Sequence, residues 1–264
     1  MSSESNIRKP AAAGKFYPSS PVELRREVES CLSGIDACSS PHVNMLVVPH
    51  AGYVFSGRVA AKGYSRVSKN VKRVFLIGPS HYRWFDGMHV SSARYFETPL
   101  GAVEVNQDVV KRLTANPLCH TVFGADETEH SLEVQLPFLQ TLLENFTIVP
   151  ILTGKVDPSA AAVALKPFID DTTLVIASSD LSHFFNQDKA RRVDDESINT
   201  IMAGDVDGFI DGCGEAAIRI VMDLAKRMGL SPELYGAATS YETAPQYGSP
   251  DRVVGYVSIG WRIV

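Results

Sequence analysis

Three histidines of this 264-residue chain follow apolar runs rich in β-branched residues. His50 comes after MLVV and a proline, His81 after VFLI and Gly-Pro-Ser, and His183 after LVIA and Ser-Ser-Asp-Leu-Ser. Imidazoles exchange protons near neutral pH and bind metals, so three in matching positions point to a metal centre or an acid/base site. Asp180, three residues before His183, adds a carboxylate. Two histidines with one carboxylate, here His50, His81 and Asp180, are the donors that hold non-haem Fe(II) and leave positions open for substrate and oxygen. His183 is then free to act as a base. Asp180 has a plainer reading as a helix N-cap, because short polar side chains after a strand accept from nearby amide groups. In Glu129-His130-Ser131-Leu132-Glu133, His130 and Glu133 lie off the leucine stripe, which suits either a solvated pair or a place in the pocket. Ser80 and Ser179 offer a nucleophile, but no G-x-S-x-G elbow accompanies them. His42, His89 and His120 have no such setting and are assigned no role.

Short apolar runs bounded by turn residues describe strands buried on both faces, which belong to sheets covered by helices. Such strands are predicted over 43–48, 73–78, 146–152, 173–177 and 253–259, the last beside 234–238. Helices are predicted after the Ser20 cap, from Ser56 to about Val67, after Glu129 along Leu132, Leu136, Leu139 and Leu143, and over 160–169, 190–202 and 213–228. The segment 33–42 reads as a loop, and 86–105 as small strands capping one end of the sheet. No repeat or linker interrupts the pattern, so 1–264 is read as one domain, a three-layer α/β/α sandwich around a mostly parallel sheet. Ligands of open sheets bind outside the carboxyl ends of the strands, where all the candidates sit.

Composition narrows the partners. The chain is 45% hydrophobic and 21% charged with a net charge of −5, which provides a core but no basic footprint for nucleic acid. No apolar run approaches the ~18 residues that span a bilayer, so no integral membrane contact is expected. Cys31, Cys38, Cys119 and Cys213 form no C-x-x-C pair, and the first residues lack the apolar stretch of a signal peptide. These features read as a reduced, cytoplasmic protein.

The string of motifs resembles the Memo family, including proteins described as component B of the AmmeMemoRadiSam system. It runs from Arg8-Lys9-Pro10-Ala11 and Gly14-Lys15-Phe16-Tyr17-Pro18 through Pro49-His50-Ala51-Gly52-Tyr53, Gly78-Pro79-Ser80-His81, Glu129-His130-Ser131-Leu132-Glu133 and Ser178-Ser179-Asp180-Leu181-Ser182-His183. That resemblance implies a fold like the class III extradiol dioxygenases, the LigB type, which cleave catechols with Fe(II). By motif, His50 and His81 match the two metal-binding histidines, Asp180 the carboxylate, His183 the base and His130 a further pocket histidine. Animal members carry a late-loop cysteine where this chain has Ala238-Thr239-Ser240-Tyr241-Glu242. The resemblance therefore implies iron with nitrogen and oxygen ligands, with zinc or copper as alternative metals, and leaves Asp180, Glu133 or Glu242 to complete the site. It also implies a second function, an adaptor that binds a phosphopeptide in a dioxygenase-like pocket, with Arg58 and Arg83 nearby. Independently of the resemblance, three nitrogen or oxygen ligands with an open water position would suffice for a zinc hydrolase.

Overall fold

The apolar runs hydrogen-bond side by side in a computed structural model that describes residues 6–35 and 43–262. The first half contains β1 (Ile7–Arg8), α1 (Pro21–Leu32), β2 (Met45–Val48), α2 (Tyr53–Tyr64), β3 (Arg73–Pro79), β4 (Met88–Val90), β5 (Tyr95–Thr98), β6 (Gly101–Val105), α3 (Gln107–Leu113) and β7 (Cys119–His120). The second contains α4 (Leu136–Leu142), β8 (Thr147–Thr153), α5 (Pro158–Leu165), β9 (Thr173–Ser178), β10 (His183–Phe185), α6 (Gln187–Ala203), α7 (Glu215–Met228), β11 (Ser231–Thr239), α8 (Ser240–Thr243) and β12 (Val253–Arg262). Most of the loop predicted over 33–42 lies outside the described residues.

The sheet order is β1-β5-β6-β8-β3-β9-β2-β12-β10, with β11 also paired to β12 and β4 joining β8 to β7. From β6 through β8, β3, β9 and β2 the strands are parallel. Helices α1, α2 and α4 pack together as one layer, and α5 and α7 as another, giving an α/β/α sandwich. Leu46, Val47, Phe75, Leu76, Val175 and Ile176 are fully buried between them. Each such side chain contributes about 1.5–3 kcal/mol through burial, so the loops leaving these strands start from the best-anchored part of the molecule. The strands that carry His81, Asp180 and His50 are consecutive, β3-β9-β2.

Three local differences from the sequence reading have physical causes. Helix α2 begins at Tyr53 rather than after Ser56, because the Tyr53 amide donates to the Phe16 carbonyl at 2.8 Å and the Ser56 hydroxyl donates back to Ala51. The leucine-striped segment starts as a 3-10 turn, Glu133–Gln135, and becomes α4 only at Leu136. Pro137 has no amide hydrogen to donate to the carbonyl four residues earlier, so the turn before it tightens. The strands of 86–105 do not cap the sheet's end. Instead, β6 pairs in parallel with β8 and brings its hairpin partner β5 along, satisfying what would be a bare sheet edge.

A candidate metal centre at the carboxyl ends of the strands

His50 leaves β2, His81 follows β3, and His130 sits just before the 3-10 turn. Their ligating nitrogens lie within 4.8 Å of one another, the one such group among the described residues. The His81 and His130 rings stack at 4.7 Å, and His50 meets both edge-on at 5.2 and 5.4 Å. A strap from the N-terminal segment closes over them: Phe16 stacks on His130 at 4.2 Å. The strap is held by Glu133, a fully buried carboxylate that pairs with Arg8, accepts from the Tyr17 hydroxyl, and accepts the amide hydrogens of Ala11 and Ala12 at 2.8 and 2.9 Å. Arg8 also reaches the Glu129 carbonyl.

Hydrogen bonding decides which nitrogen each ring offers. The Ser178 hydroxyl donates its only hydrogen to the Ser131 carbonyl at 2.6 Å and accepts from the Gln135 amide at 2.8 Å. The Gln135 orientation is set, since its amide nitrogen also faces the Pro49 carbonyl, which can only accept. His50 Nδ1, 2.9 Å from the same Ser178 oxygen, must therefore be the donor, and Nε2 keeps its lone pair. His81 Nδ1 lies 2.9 Å from Glu129 Oε1. An ionised carboxylate only accepts, so Nε2 is again the free nitrogen. Glu129 also receives the amide hydrogens of His81, His130 and Ser131, at 2.6, 2.9 and 2.9 Å. This carboxylate–histidine arrangement orients ligands in metal sites. His130 Nδ1 is buried with no hydrogen-bond partner, its nearest carboxylate oxygen being Glu129 Oε1 at 3.4 Å.

The electrostatics favour neutral His50 and His130 rings. Burial pulls His50 well below its ordinary value, and His81 and His130 add to the effect. Burial likewise brings His130 down to about 4 against the attraction of Glu129. For Glu129 burial works upward, but the bond to His81, its charge, and the Ser131 and His81 amides win and hold the carboxyl at about 2. Metal–nitrogen bonds of ~2.0–2.1 Å put nitrogens on one ion about 3–3.5 Å apart, so the observed group closes on an ion with small side-chain shifts. The donors fit a metal that accepts imidazole, such as zinc, copper or iron.

Asp180 is placed differently from the other expected ligands. Its Oδ1 accepts the amide hydrogens of His50 and Ala51 at 2.8 and 3.3 Å, and it stands outside the three-nitrogen group. It does cap backbone amides, though those of the loop before α2 rather than of the turn that follows it. His183 is half-buried on β10, close enough to lower His50 through its charge, and also outside the group. Glu133 serves the strap, and Glu242 caps α8 and pairs with Arg191, so neither joins the three rings. Residues that the sequence reading passed over now matter: Glu129, Ser178 and Gln135 as orienting groups, and Cys213, whose Sγ lies 3.2 Å from His50 Nε2.

The Asp180 environment has a measurable consequence. Burial raises its carboxyl from 3.8 to about 7, although the His50 and Ala51 amides pull the other way. Folded protein then holds a proton that unfolded chain has released, so the Asp180 share of stability is complete below 3.8 and is lost as pH rises through about 7. Asp180→Asn keeps an acceptor for the two amides and should narrow the stability gap of metal-free protein between about pH 4 and about pH 8. Denaturant titrations at both ends check this, and an unchanged gap contradicts the assignment.

The model of the Memo-like protein family matches residues 8–260. MEMO1 family proteins from Thermoplasma volcanium and Methanococcoides burtonii are each 36% identical to this chain and cover 96% of it, the matches spanning 97% and 99% of those proteins. One from Sulfolobus acidocaldarius is 34% identical, with 96% of this chain and 98% of that protein covered. Among solved structures, an uncharacterised protein from Escherichia coli K12 aligns with a TM-score of 0.51 at 13% identity, covering 83% of this chain and all of that one, which bears on fold alone. No helix among the described residues is long and apolar enough to cross a membrane.

Proposed function

The chain belongs to the Memo family, and on that premise we propose that its strand-end crevice is a metal-dependent active site, with oxygen-dependent oxidation at non-haem iron as the leading reading. The observation that carries it is the convergence of His50, His81 and His130, two of them with Nδ1 committed to hydrogen bonds that leave Nε2 free. Bound Fe(II) supplies Lewis acidity toward a chelating hydroxyl and a position for dioxygen. The protein's own groups do the rest. His183, which burial keeps below its ordinary value against a backbone bond to Leu181, is neutral at neutral pH and suited to take a proton from a substrate hydroxyl. Phe16 stacks on His130 and Tyr82 meets it edge-on, so both border the crevice.

An all-nitrogen donor set also supports a second reading, zinc-dependent hydrolysis, since three histidines and an open water position suffice for it. Protein purified anaerobically without a histidine tag separates the two. Near-stoichiometric iron, with dioxygen uptake on adding a catechol, supports the first. Zinc with ester hydrolysis supports the second. An intact fold that takes up neither metal overturns both and favours a binding module.

A further inference from the structure

His183, the proposed base, follows a turn that α6 and β12 hold between them. Asp194 of α6 is 6% exposed, and its Oδ1 accepts the Ser182 amide hydrogen at 3.0 Å. The Gly255 amide of β12 donates to the Ser182 carbonyl and the Leu181 amide to the Gly255 carbonyl, both at 2.8 Å. A Cβ on Gly255 would collide with the Asp194 carboxylate, so only glycine lets helix, turn and strand meet here.

Just beyond the turn, Phe184 has a φ of 64°, in the left-handed region that bulky residues avoid. It is the extra residue of a bulge, since His183 pairs with Val254 and Phe185 with Val253. Bulges beside active sites re-aim the neighbouring side chain. The Phe184 ring is 60% exposed, with the Arg252 guanidinium 4.2 Å from its centre, so burial does not offset the strain. Strain of this kind persists only where the surrounding structure imposes it, and it clusters at functional sites.

We propose that Asp194 is a positioning residue: by fixing the Ser182 turn against Gly255 it imposes the Phe184 bulge and aims the His183 imidazole into the crevice. The inference rests on the reading of His183 as a base and adds the group that sets its direction. His183 is near enough to the three rings for its charge to lower His50. One of its ring nitrogens bonds to the Leu181 backbone, which leaves the other for a substrate proton. Burial raises the Asp194 carboxyl from 3.8 to about 6 against the bonds from Ser182. An ionised group here therefore costs stability that an apolar side chain would not, and what it contributes is geometry.

Isotope-edited NMR of the full chain labelled at histidine, with His183 assigned through His183→Gln, tests the proposal. Wild type should show one fixed His183 tautomer that titrates below 6.5, because burial disfavours the charged ring; Asp211 draws it upward and His81 downward, and both stay in every variant. In Asp194→Ala, His183 should titrate near 6.5 with mixed tautomers. Asp194→Asn keeps an oxygen for the Ser182 amide and should restore the wild-type signals. Variants at the exposed Phe184 leave the core untouched. Glycine takes up the left-handed conformation freely and a β-branched residue resists it. Phe184→Gly should therefore keep the single tautomer and Phe184→Val should lose it, although both remove the ring. Unchanged His183 signals in Asp194→Ala and Phe184→Val overturn the positioning role and leave the base reading standing. Undiminished dioxygen uptake or ester hydrolysis by metal-loaded His183→Gln overturns the base reading itself, and the positioning role with it.

Discussion

Glu133→Ala is expected to lose about 3–5 kcal/mol of folding stability, the cost of leaving a buried charge without its partner. The Arg8 and Glu133 side chains are 3% and 0% exposed. The carboxylate also accepts from Tyr17, Ala11 and Ala12, so its removal strands four donors in the interior. Set against the ~5–15 kcal/mol that holds a typical domain together, this is a fifth or more of the total, and the denaturation midpoint should fall sharply. The loss spreads to the site, because the strap that Glu133 holds carries Phe16 onto His130. A variant that folds with normal stability but loses activity would show that Glu133 acts in the chemistry instead.

Glu129→Gln is expected to weaken metal binding about 10–100-fold, the usual effect of removing a group that orients a ligand. Glutamine has one acceptor oxygen where the carboxylate receives four N–H groups, so its amide must face a donor. The His81 ring then loses its fixed orientation. The substitution has a pH signature too. The native carboxyl lies at about 2 against an ordinary 4.5, so its share of stability is present above 4.5 and is lost as pH falls through about 2. The stability difference between wild type and variant should be level above that window and close within it. Isothermal titration with zinc or iron checks the affinity, and acid denaturation checks the pH trend. Unchanged affinity would mean that His81 is positioned without Glu129.

Much of the frame is legible in the chain because strands of a covered parallel sheet are apolar on both faces. Hence β2, β3, β8 and β9 begin and end within two residues of the predicted strands, and His50 and His81 stand out at the ends of β2 and β3. Helix α6 begins three residues before the predicted start, because Asn186 caps it by accepting from Lys189. Helix α3 and the short strand β10 were not foreseen: a seven-residue helix and a three-residue strand carry too little periodicity to register.

The site was harder to read, for a different reason. That Asp180 lies near His50 follows from its motif, but that its Oδ1 is taken by two amides depends on how β9 sits beside β2. His130 was placed in the pocket by its motif, while its stacking between Phe16 and His81 is a product of the strap. Glu129, Ser178 and Gln135 act through hydrogen bonds among segments as many as 128 residues apart, which no local pattern encodes. Cys213 carried one hint, the glycines on either side of it, and their meaning appears only where that loop presses against Ser178 and Asp180.

The proposed centre is one ion held by His50, His81 and His130. Anomalous diffraction at the metal edge, from crystals grown anaerobically with Fe(II) and again with zinc, tests it most directly. A single strong peak is expected within bonding distance of His50 Nε2, His81 Nε2 and a His130 nitrogen, absent in His81→Ala crystals of the same form. A fully loaded crystal with its peak elsewhere, or one in which Asp180 replaces His130 as the third donor, would contradict it.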